Sequence, residues 1–306
     1  MIDLKILDEV GELDTVVAGV AFHNGEPPAL EEAYDAKTYH TILNDQYPLD
    51  EDLNREVEAF VSLMEREGVT VLRPGRHRGM QQIFARDVGF VIGDTFVRAN
   101  IIADREQEMK AYDAIWSQIN PDKIVTTPDY VSVEGGDVTL LRDGRILLGC
   151  HLTTDFDHYS TARTNKYAIG FLKGLFPERE IIPLQLIKDD HDPYRGVLHL
   201  DCAFQPVGEG LAIIFPGAFR HYSDYEFLVS LFGPENVFSI TREEFFEMNT
   251  NIFSLSPQKV IIDSAFARLK GWLEARGLEV LTTPYREVSK LGGLLRCTTQ
   301  PLVRRY

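Results

Sequence analysis

Residues 137–148 have the sequence DVTLLRDGRILL, in which a charged residue opens two short apolar runs separated by a turn. Asp143-Gly144 is a dipeptide that tight β-hairpin turns favour, and the runs on either side of it are rich in Val, Leu and Ile. This stretch therefore predicts a β-hairpin that begins just after Asp137.

The same pattern recurs along the chain, and each hairpin is followed by a helical stretch and one further short strand. Hairpins opened by Asp or Asn are predicted at residues 87–97, 137–148, 201–215 and 251–262. Helices are predicted at residues 53–67, 106–119, 159–175, 224–232 and 265–276. The chain is thus expected to repeat one hairpin–helix–strand unit.

A fifth unit is predicted from the two ends of the chain, with a strand at residues 15–18 and a last segment around Cys297. Repetition of one unit predicts a closed repeat architecture of the α/β class. The alternative is an open doubly wound sheet, but hairpins between the helices disfavour purely parallel strands. No linker divides the chain, so residues 1–306 are expected to form a single domain.

The composition is that of a globular protein with an acidic surface. Hydrophobic residues make up 44% of the chain and charged residues 25%. The formal net charge of −16 argues against a nucleic acid or membrane partner, because both attract basic surfaces. No apolar run is long enough to span a membrane, and the N-terminal residues lack the pattern of a signal peptide. The expected location is the cytoplasm.

The three cysteines form no CxxC pair, which fits neither a disulfide framework nor a zinc site. No metal and no cofactor are expected, since the chain also lacks a P-loop or dinucleotide-binding motif. Cys150 and Cys202 lie beside apolar strand residues and are predicted to be core residues. Cys297 follows two glycines and has Arg296 as its neighbour, a setting that favours the thiolate. Cys297 is therefore the candidate nucleophile, with a structural role as the alternative.

Polar residues that could bind or react with a substrate occupy the same place in every unit, just before the first hairpin strand. They are Arg86-Asp87, Glu134-Gly135-Gly136-Asp137, His199-Leu200-Asp201, Asn249-Thr250-Asn251 and the segment 292–297, which ends in Cys297. If the units are arranged around an axis, equivalent positions converge on it. The repeat therefore predicts one central site built from residues far apart in the sequence.

The chemistry of this set indicates a guanidinium substrate. Clustered carboxylates are costly unless they bind cations, and a planar guanidinium pairs with carboxylates in a bidentate way. Its carbon is a poor electrophile, so attack on it needs a thiolate nucleophile and an acid for the departing amine. Cys297 and His199 can supply these, although His199 could instead be a satisfied core histidine.

These motifs resemble the guanidino-group-modifying superfamily, which contains arginine deiminases, amidinotransferases and dimethylarginine dimethylaminohydrolases. The resemblance rests on four motifs in order, FARD at 84–87, EGGD at 134–137, HLD at 199–201 and GGLLRC at 292–297. It implies a five-bladed α/β propeller, the pentein fold, which agrees with the repeats.

The resemblance also implies roles for individual residues. Cys297 would attack the guanidinium carbon, and His199 would protonate the leaving amine and then activate the second nucleophile. Glu134 is the third catalytic candidate. The remaining candidates, expected to bind the substrate, are Asp87, Asp201, Asp137 and Arg98.

The second nucleophile decides between two reactions. Water gives an arginine deiminase-like hydrolase, and an amine gives an amidinotransferase; Arg296 before Cys297 resembles the deiminase branch. Leu152 stands where bacterial deiminases carry an arginine for the substrate carboxylate, so Arg98 or Arg163 would have to replace it. Asp87 also differs from the Asn of arginine dihydrolases, which makes two successive hydrolyses less expected.

The expected partner is a small guanidino molecule, arginine or a derivative. A third hypothesis is not enzymatic, because the same propeller resembles a ribosome anti-association factor that binds through its surface. Soluble enzymes most often form symmetric dimers, so a homodimer is the default expectation.

Overall fold

The structure, a computed structural model, describes residues 1–306 and contains five three-stranded β-sheets. The strands are β1 (Glu12–Ala18), β2 (Thr70–Leu72), β3 (Gly89–Ile92), β4 (Thr95–Arg98), β5 (Ile124–Thr126), β6 (Val138–Leu140), β7 (Ile146–Cys150), β8 (Ile181–Gln185), β9 (Phe204–Val207), β10 (Leu211–Ile214), β11 (Val237–Ser239), β12 (Phe253–Ser256), β13 (Lys259–Asp263), β14 (Glu279–Thr283) and β15 (Thr299–Arg305). Their orders in the sheets are β15-β1-β2, β3-β4-β5, β6-β7-β8, β9-β10-β11 and β12-β13-β14.

All five sheets share one topology. The central strand pairs antiparallel with one neighbour and parallel with the other. In four sheets the antiparallel pair is a hairpin, and the parallel strand follows a helical connection. The predicted α/β repeat of five small sheets is confirmed.

The helices lie mainly in the connections to the parallel strands. They are α1 (Ala36–Leu43), α2 (Asp50–Arg66), α3 (Asp113–Trp116), α4 (Tyr167–Leu175), α5 (Tyr222–Phe232), α6 (Arg242–Phe246), α7 (Ala267–Glu274) and α8 (Arg286–Ser289). The 3-10 helices are Leu30–Glu32, Ala103–Tyr112, Pro121–Lys123, Gly135–Asp137, Phe156–His158, Leu200–Cys202, Pro216–Ala218 and Pro234–Asn236. None of the helices combines the length and the apolar character needed to cross a bilayer.

Helix α2 shows how the sequence determines these elements. Its buried apolar residues include Val57, Phe60, Val61 and Met64, the i, i+3, i+4, i+7 pattern of a one-sided apolar face. Acidic residues occupy its first turn, where they interact favourably with the helix dipole. Gly68, with φ of 85°, follows its C-terminus and lets the chain turn toward β2.

Two predicted helices differ from the structure. Residues 106–119 form a 3-10 helix and the four-residue α3, and the buried ion pair of Arg105 with Glu108 lies in that 3-10 helix. Helix α4 begins only at Tyr167, because the preceding residues turn inward, where Arg163 reaches Glu134. In both places the side chains that point to the interior of the protein determine the backbone more than apolar spacing does.

The two ends of the chain meet in one sheet, as predicted. Strands β1 and β15 pair antiparallel, with Ala18 opposite Thr299 and Glu12 opposite Arg305. The Tyr306 hydroxyl also accepts a hydrogen bond of 2.6 Å from the backbone N–H of Leu7. The start of β15, two residues after Cys297, is thereby held by the N-terminal strand.

Candidate active site

The segments that carry the candidate residues contact one another although they belong to different sheets. The backbone N–H of Leu200 donates to Asp137 Oδ1 at 2.9 Å, and the N–H of Arg86 donates to the carbonyl of Cys297 at 3.0 Å. The 3-10 turns Gly135–Asp137 and Leu200–Cys202 also lie side by side. The start of each hairpin is therefore directed toward a common interior.

Two glycines allow these segments to approach so closely. A Cβ on Gly135 would lie 2.2 Å from the carbonyl oxygen of Arg86, and one on Gly136 would lie 2.7 Å from the His199 ring. Any larger residue would push the neighbouring segment away. The Gly-Gly pair of the EGGD motif is thus explained by close packing against two other parts of the site.

His199 is fully buried between two carboxylates. Its Nε2 lies 2.8 Å from Glu134 Oε2, and its Nδ1 lies 3.8 Å from Asp87 Oδ1. Burial alone would lower the pKa of His199, but the charge of Asp87 and the hydrogen bond to Glu134 outweigh it and raise that pKa to about 9. The imidazole is therefore protonated at neutral pH and can act as an acid.

Glu134 also pairs with an arginine. Arg163 Nη1 lies 3.1 Å from Glu134 Oε2, and the Arg163 Nη2 donates to the backbone carbonyl of Tyr34 at 2.8 Å. Burial opposes ionisation of Glu134, but the positive charges of Arg163 and His199 lower its pKa below the ordinary range. Glu134 is thus ionised and fixes the orientation of the His199 ring.

Cys297 is buried beside Asp201 and Asn251. Its Sγ lies 3.7 Å from Asp201 Oδ2, Asn251 Nδ2 donates to that sulfur at 3.1 Å, and the Cys297 N–H donates to Asn251 Oδ1 at 3.1 Å. The contact with the Cys202 thiol, burial and the negative charge of Asp201 raise the pKa of Cys297 well above its ordinary value. A positive charge beside the sulfur would favour the thiolate.

The charge of Asp201 is shared with a buried arginine. Arg296 Nη1 lies 2.9 Å from Asp201 Oδ2, and Arg296 Nη2 lies 3.0 Å from Glu9 Oε1. Burial would raise the pKa of Glu9, but the Arg296 charge lowers it to about 2. The arginine next to the nucleophile therefore joins two buried carboxylates, and the expectation that it favours the Cys297 thiolate is wrong, because the pKa of that thiol is raised.

Asp87 keeps one oxygen without a hydrogen-bond partner. Its Oδ2 accepts from Arg105 Nη1 at 2.6 Å, whereas its Oδ1 and the Nδ1 of His199 are buried and unpartnered. Asp87 also contributes to the raised pKa of Cys297 and of His199. Asp87 therefore links the thiol and the imidazole in one site, and its free oxygen can accept an N–H donor.

The remaining two predicted residues lie differently. Asp137 accepts from Thr164 Oγ1 at 2.6 Å and from the Leu200 N–H, so its carboxylate holds the segment that carries His199. Arg98 is not brought to the cluster: it lies in β4 with its guanidinium 4.2 Å from the centre of the Trp116 ring. A substrate contact remains a prediction for both.

Several site residues were not predicted from the sequence. Cys202 belongs to the apolar core as expected, yet its Sγ also lies 3.6 Å from Asp201 Oδ1. Arg105 and Glu108 pair behind Asp87 and carried no recognisable motif. The repeat already places Asn251 in the central site, at the position that Asp87 and Asp201 occupy in their units, and only its contact with Cys297 was not predicted.

Two sets of side chains have the donor atoms and the spacing of metal ligands. They are Asp87, Glu134 and His199, and Asp201, Cys202 and Cys297. In both sets the carboxylates already pair with arginines, so a divalent cation would bind against neighbouring positive charges. The arrangement suits a ligand that brings N–H donors and one delocalised charge.

Comparison with known proteins identifies the class and then the family. Fold and site together define a member of the guanidino-group-modifying superfamily, which confirms the resemblance seen in the motifs. The chain belongs to the family described as N,N dimethylarginine dimethylhydrolase, eukaryotic, whose model matches residues 31–304.

Proteins similar to this chain include an arginine dihydrolase in sequence and an amidinotransferase in fold. The uncharacterized protein YkgA of Bacillus subtilis is 30% identical over 273 residues, 88% of this chain and 83% of that protein. The bifunctional arginine dihydrolase/ornithine cyclodeaminase AgrE of Nostoc sp. is 29% identical over 221 residues, 71% of this chain but only 28% of that protein. The inosamine-phosphate amidinotransferase of Streptomyces griseus has the same fold, with a TM-score of 0.74 at 16% identity over 100% of this chain and 98% of that one.

Proposed function

We propose that this protein is a hydrolase that breaks a C–N bond of a guanidino substrate through a covalent amidino intermediate on Cys297. The proposal rests on two buried atoms that have no hydrogen-bond partner, Asp87 Oδ1 and His199 Nδ1. They belong to the same site as Cys297, because the charge of Asp87 contributes to the raised pKa of that thiol. An N–H-rich cation would donate to Asp87 Oδ1, and its departing amine would take a proton from His199 Nδ1 as the C–N bond breaks.

Substrate binding would prepare the nucleophile. A guanidinium held by Asp87 and Asp201 places a positive charge beside Cys297, which opposes the effect of the carboxylates on the pKa of the thiol. The thiol then loses its proton at a lower pH than in the free protein. We therefore expect substrate binding to increase the nucleophilicity of Cys297.

The chemical step follows from the protonation states. The Cys297 thiolate attacks the guanidinium carbon and forms a C–S bond, and His199 donates the proton that lets the amine depart as the C–N bond breaks. His199, now neutral, takes a proton from water, which attacks the thiouronium carbon. The C–S bond breaks, the ureido product leaves, and Cys297 returns as the thiolate. Glu134 would stabilise His199 whenever the ring is protonated.

Transfer to an amine is the alternative, since it uses the same residues. Arg296, whose position resembled the deiminase branch, pairs with Asp201 and Glu9 and makes no contact that selects between water and an amine. We retain hydrolysis because the family description and the curated AgrE relative name hydrolytic reactions. Residues 1–306 would form one catalytic five-bladed propeller in the cytoplasm.

The substrate is proposed to be arginine or a derivative, with N-methylated arginine included because the family description names dimethylarginine. Leu152 leaves no arginine at the expected carboxylate site, and Arg163, in contact with Glu134, is nearer the cluster than Arg98. Comparing arginine with agmatine, its decarboxylated form, would show whether a carboxylate is recognised.

The deciding experiment is a substrate panel with and without an amine acceptor. Arginine, agmatine and dimethylarginine are incubated with the purified protein, with or without glycine or lysine, and released amine and ureido product are quantified. Ureido product formed without an acceptor supports hydrolysis. A new guanidino product that forms only with the acceptor would show that the reaction is amidino transfer instead. The mass of an adduct trapped on Cys297 identifies the transferred group.

A Cys297→Ser variant tests the covalent step and the non-enzymatic hypothesis together. Loss of turnover by at least 1,000-fold, on the order seen when a nucleophile is removed, is expected with the fold retained. Full activity of Cys297→Ser would rule out the covalent mechanism. A surface-binding protein would need neither Cys297 nor His199.

A further inference from the structure

Two thiols lie beside one carboxylate in the candidate site. The Sγ atoms of Cys202 and Cys297 and an oxygen of Asp201 lie within 4.8 Å of one another. Cys202 Sγ is 3.6 Å from Asp201 Oδ1, and Cys297 Sγ is 3.7 Å from Asp201 Oδ2. The proposed reaction uses only Cys297, so the second thiol has no role in it.

We propose that Cys202 is an oxidation site that captures Cys297 in a disulfide when a hydroperoxide enters the protein. A disulfide needs sulfur atoms about 2 Å apart, so the two sulfurs must approach by less than about 3 Å. Rotation about the Cα–Cβ bonds of the two cysteines moves the sulfurs over such distances. Side-chain rotation can therefore bring the two sulfurs toward bonding distance.

Cys202 is the more exposed of the two thiols. It is 5% exposed and lines a surface pocket together with Lys37, Leu198, Phe246 and Gly292. The centre of a water-sized molecule can move through ≈ 40 Å³ of this pocket, more than the roughly 10–15 Å³ that one water needs on the same measure. An oxidant of about the size of a water molecule, such as hydrogen peroxide, therefore fits in the pocket.

The chemistry takes place in two balanced steps. Cys202 Sγ attacks one oxygen of hydrogen peroxide, the O–O bond breaks, and a sulfenic acid and one water form. Cys297 Sγ then attacks the Cys202 sulfur, and the hydroxyl leaves as a second water with the proton of the thiol. Two thiols are oxidised to one disulfide while the peroxide is reduced to two waters.

Asp201 and Arg296 favour this outcome over metal capture by the same atoms. Arg296 lies 2.9 Å from Asp201, so its positive charge opposes a cation between the sulfurs. The disulfide is neutral, and once it has formed neither sulfur carries a thiol proton that contacts Asp201. In the proposed enzyme it would block the nucleophile reversibly and protect it from further oxidation, and only this consequence rests on the proposed function.

Peptide mapping by mass spectrometry tests the disulfide without any activity assay. The reduced full-length protein is treated with hydrogen peroxide, free thiols are alkylated, and the protein is digested with trypsin. Cleavage after Arg195, Arg220, Arg296 and Arg304 places the two cysteines on separate peptides, 196–220 and 297–304. The expected result is one cross-linked species, lighter by two hydrogens and released by dithiothreitol.

Two variants provide the controls. Cys150→Ser removes the buried thiol that donates to the Leu184 carbonyl, away from the pair, and should form the cross-link as the wild type does. Cys202→Ser should form none and should accumulate sulfinic or sulfonic acid on Cys297 that dithiothreitol does not reverse. A peroxide-treated wild type that carries oxygen on Cys297 with Cys202 unmodified would overturn the proposal, and this readout stands even if Cys202→Ser does not fold.

Discussion

Arg296 Nη1 lies 2.9 Å from Asp201 Oδ2, with both side chains almost completely buried, and the same guanidinium contacts Glu9 on its other side. The residue that precedes the candidate nucleophile is therefore the centre of a three-residue charge network. The network fixes Asp201 beside Cys297, and the negative charge of Asp201 still acts on the thiol.

The first prediction concerns the stability of this network. Arg296→Met should lower the free energy of unfolding by about 3–5 kcal/mol, because it leaves two buried carboxylates without their cation. Urea denaturation at pH 7 measures the loss. Arg305→Met is the matched control, since Arg305 pairs with Glu12 on the surface and should change stability by less than about 1 kcal/mol. Equal effects of the two substitutions would contradict the assignment.

The second prediction is a pH dependence that comes from His199. Its pKa is raised from 6.5 to about 9, so its contribution to stability is complete below pH 6.5 and is lost as the pH rises through 9. The difference corresponds to on the order of 3 kcal/mol. The free energy of unfolding of the wild type should therefore fall between pH 6 and 9.5 by more than that of His199→Gln. Parallel curves for the two proteins would count against a protonated His199.

The third prediction concerns the reactivity of the thiol. Asn251→Asp places a second carboxylate at the position that now donates to Cys297 Sγ, so the pKa of the thiol should rise further and alkylation by iodoacetamide should become slower at fixed pH. The rate is measured from pH 6 to 10 by the mass of the 297–304 peptide. Asn44→Asp, at the exposed end of α1, is the control and should leave the profile unchanged. A faster reaction of Asn251→Asp would refute the electrostatic argument.

The fourth prediction tests the close packing at the EGGD motif. Gly136→Ala should reduce turnover of the substrate by at least 10-fold, because its Cβ would lie 2.7 Å from the His199 ring and displace it. Gly170→Ala, within α4 and with open space around its Cβ, should instead stabilise the protein by roughly 0.5–1 kcal/mol. Steady-state kinetics and urea denaturation of both variants separate the effect on turnover from the effect on stability. Unchanged kinetics in Gly136→Ala would show that the EGGD motif does not position His199.

The repeat made much of the fold predictable, because each unit shows both its alternating strands and its turn within a few residues. Asp143-Gly144 marks one such turn in the sequence, and Gly144 adopts the expected positive φ of 90°. The five sheets and the convergence of Glu134 and His199 follow from that periodicity.

The partners of the site residues could not be predicted in the same way. Arg163 lies within a predicted helix and Arg105 directly precedes another, but each side chain pairs with a carboxylate that only the folded chain brings near. Cys202 was assigned to the core from its apolar neighbours, and nothing in the local sequence reveals its distance from Cys297. Such contacts depend on tertiary structure, which local sequence patterns do not report.

The pairing of β1 with β15 has a consequence for the nucleophile. Four sheets are each built from strands that are continuous in the chain, whereas the fifth is closed by hydrogen bonds between segments nearly 300 residues apart, such as Glu12 and Arg305. Cys297 lies at this non-covalent seam. We expect that local opening of the seam, measured as hydrogen exchange at the β1 and β15 amides, displaces the thiol while the other four sheets remain intact. Faster exchange of the β15 amides than of the β10 amides would detect this opening. The position of the reactive sulfur would then depend on the β1–β15 hydrogen bonds alone, because no short covalent connection joins these two strands.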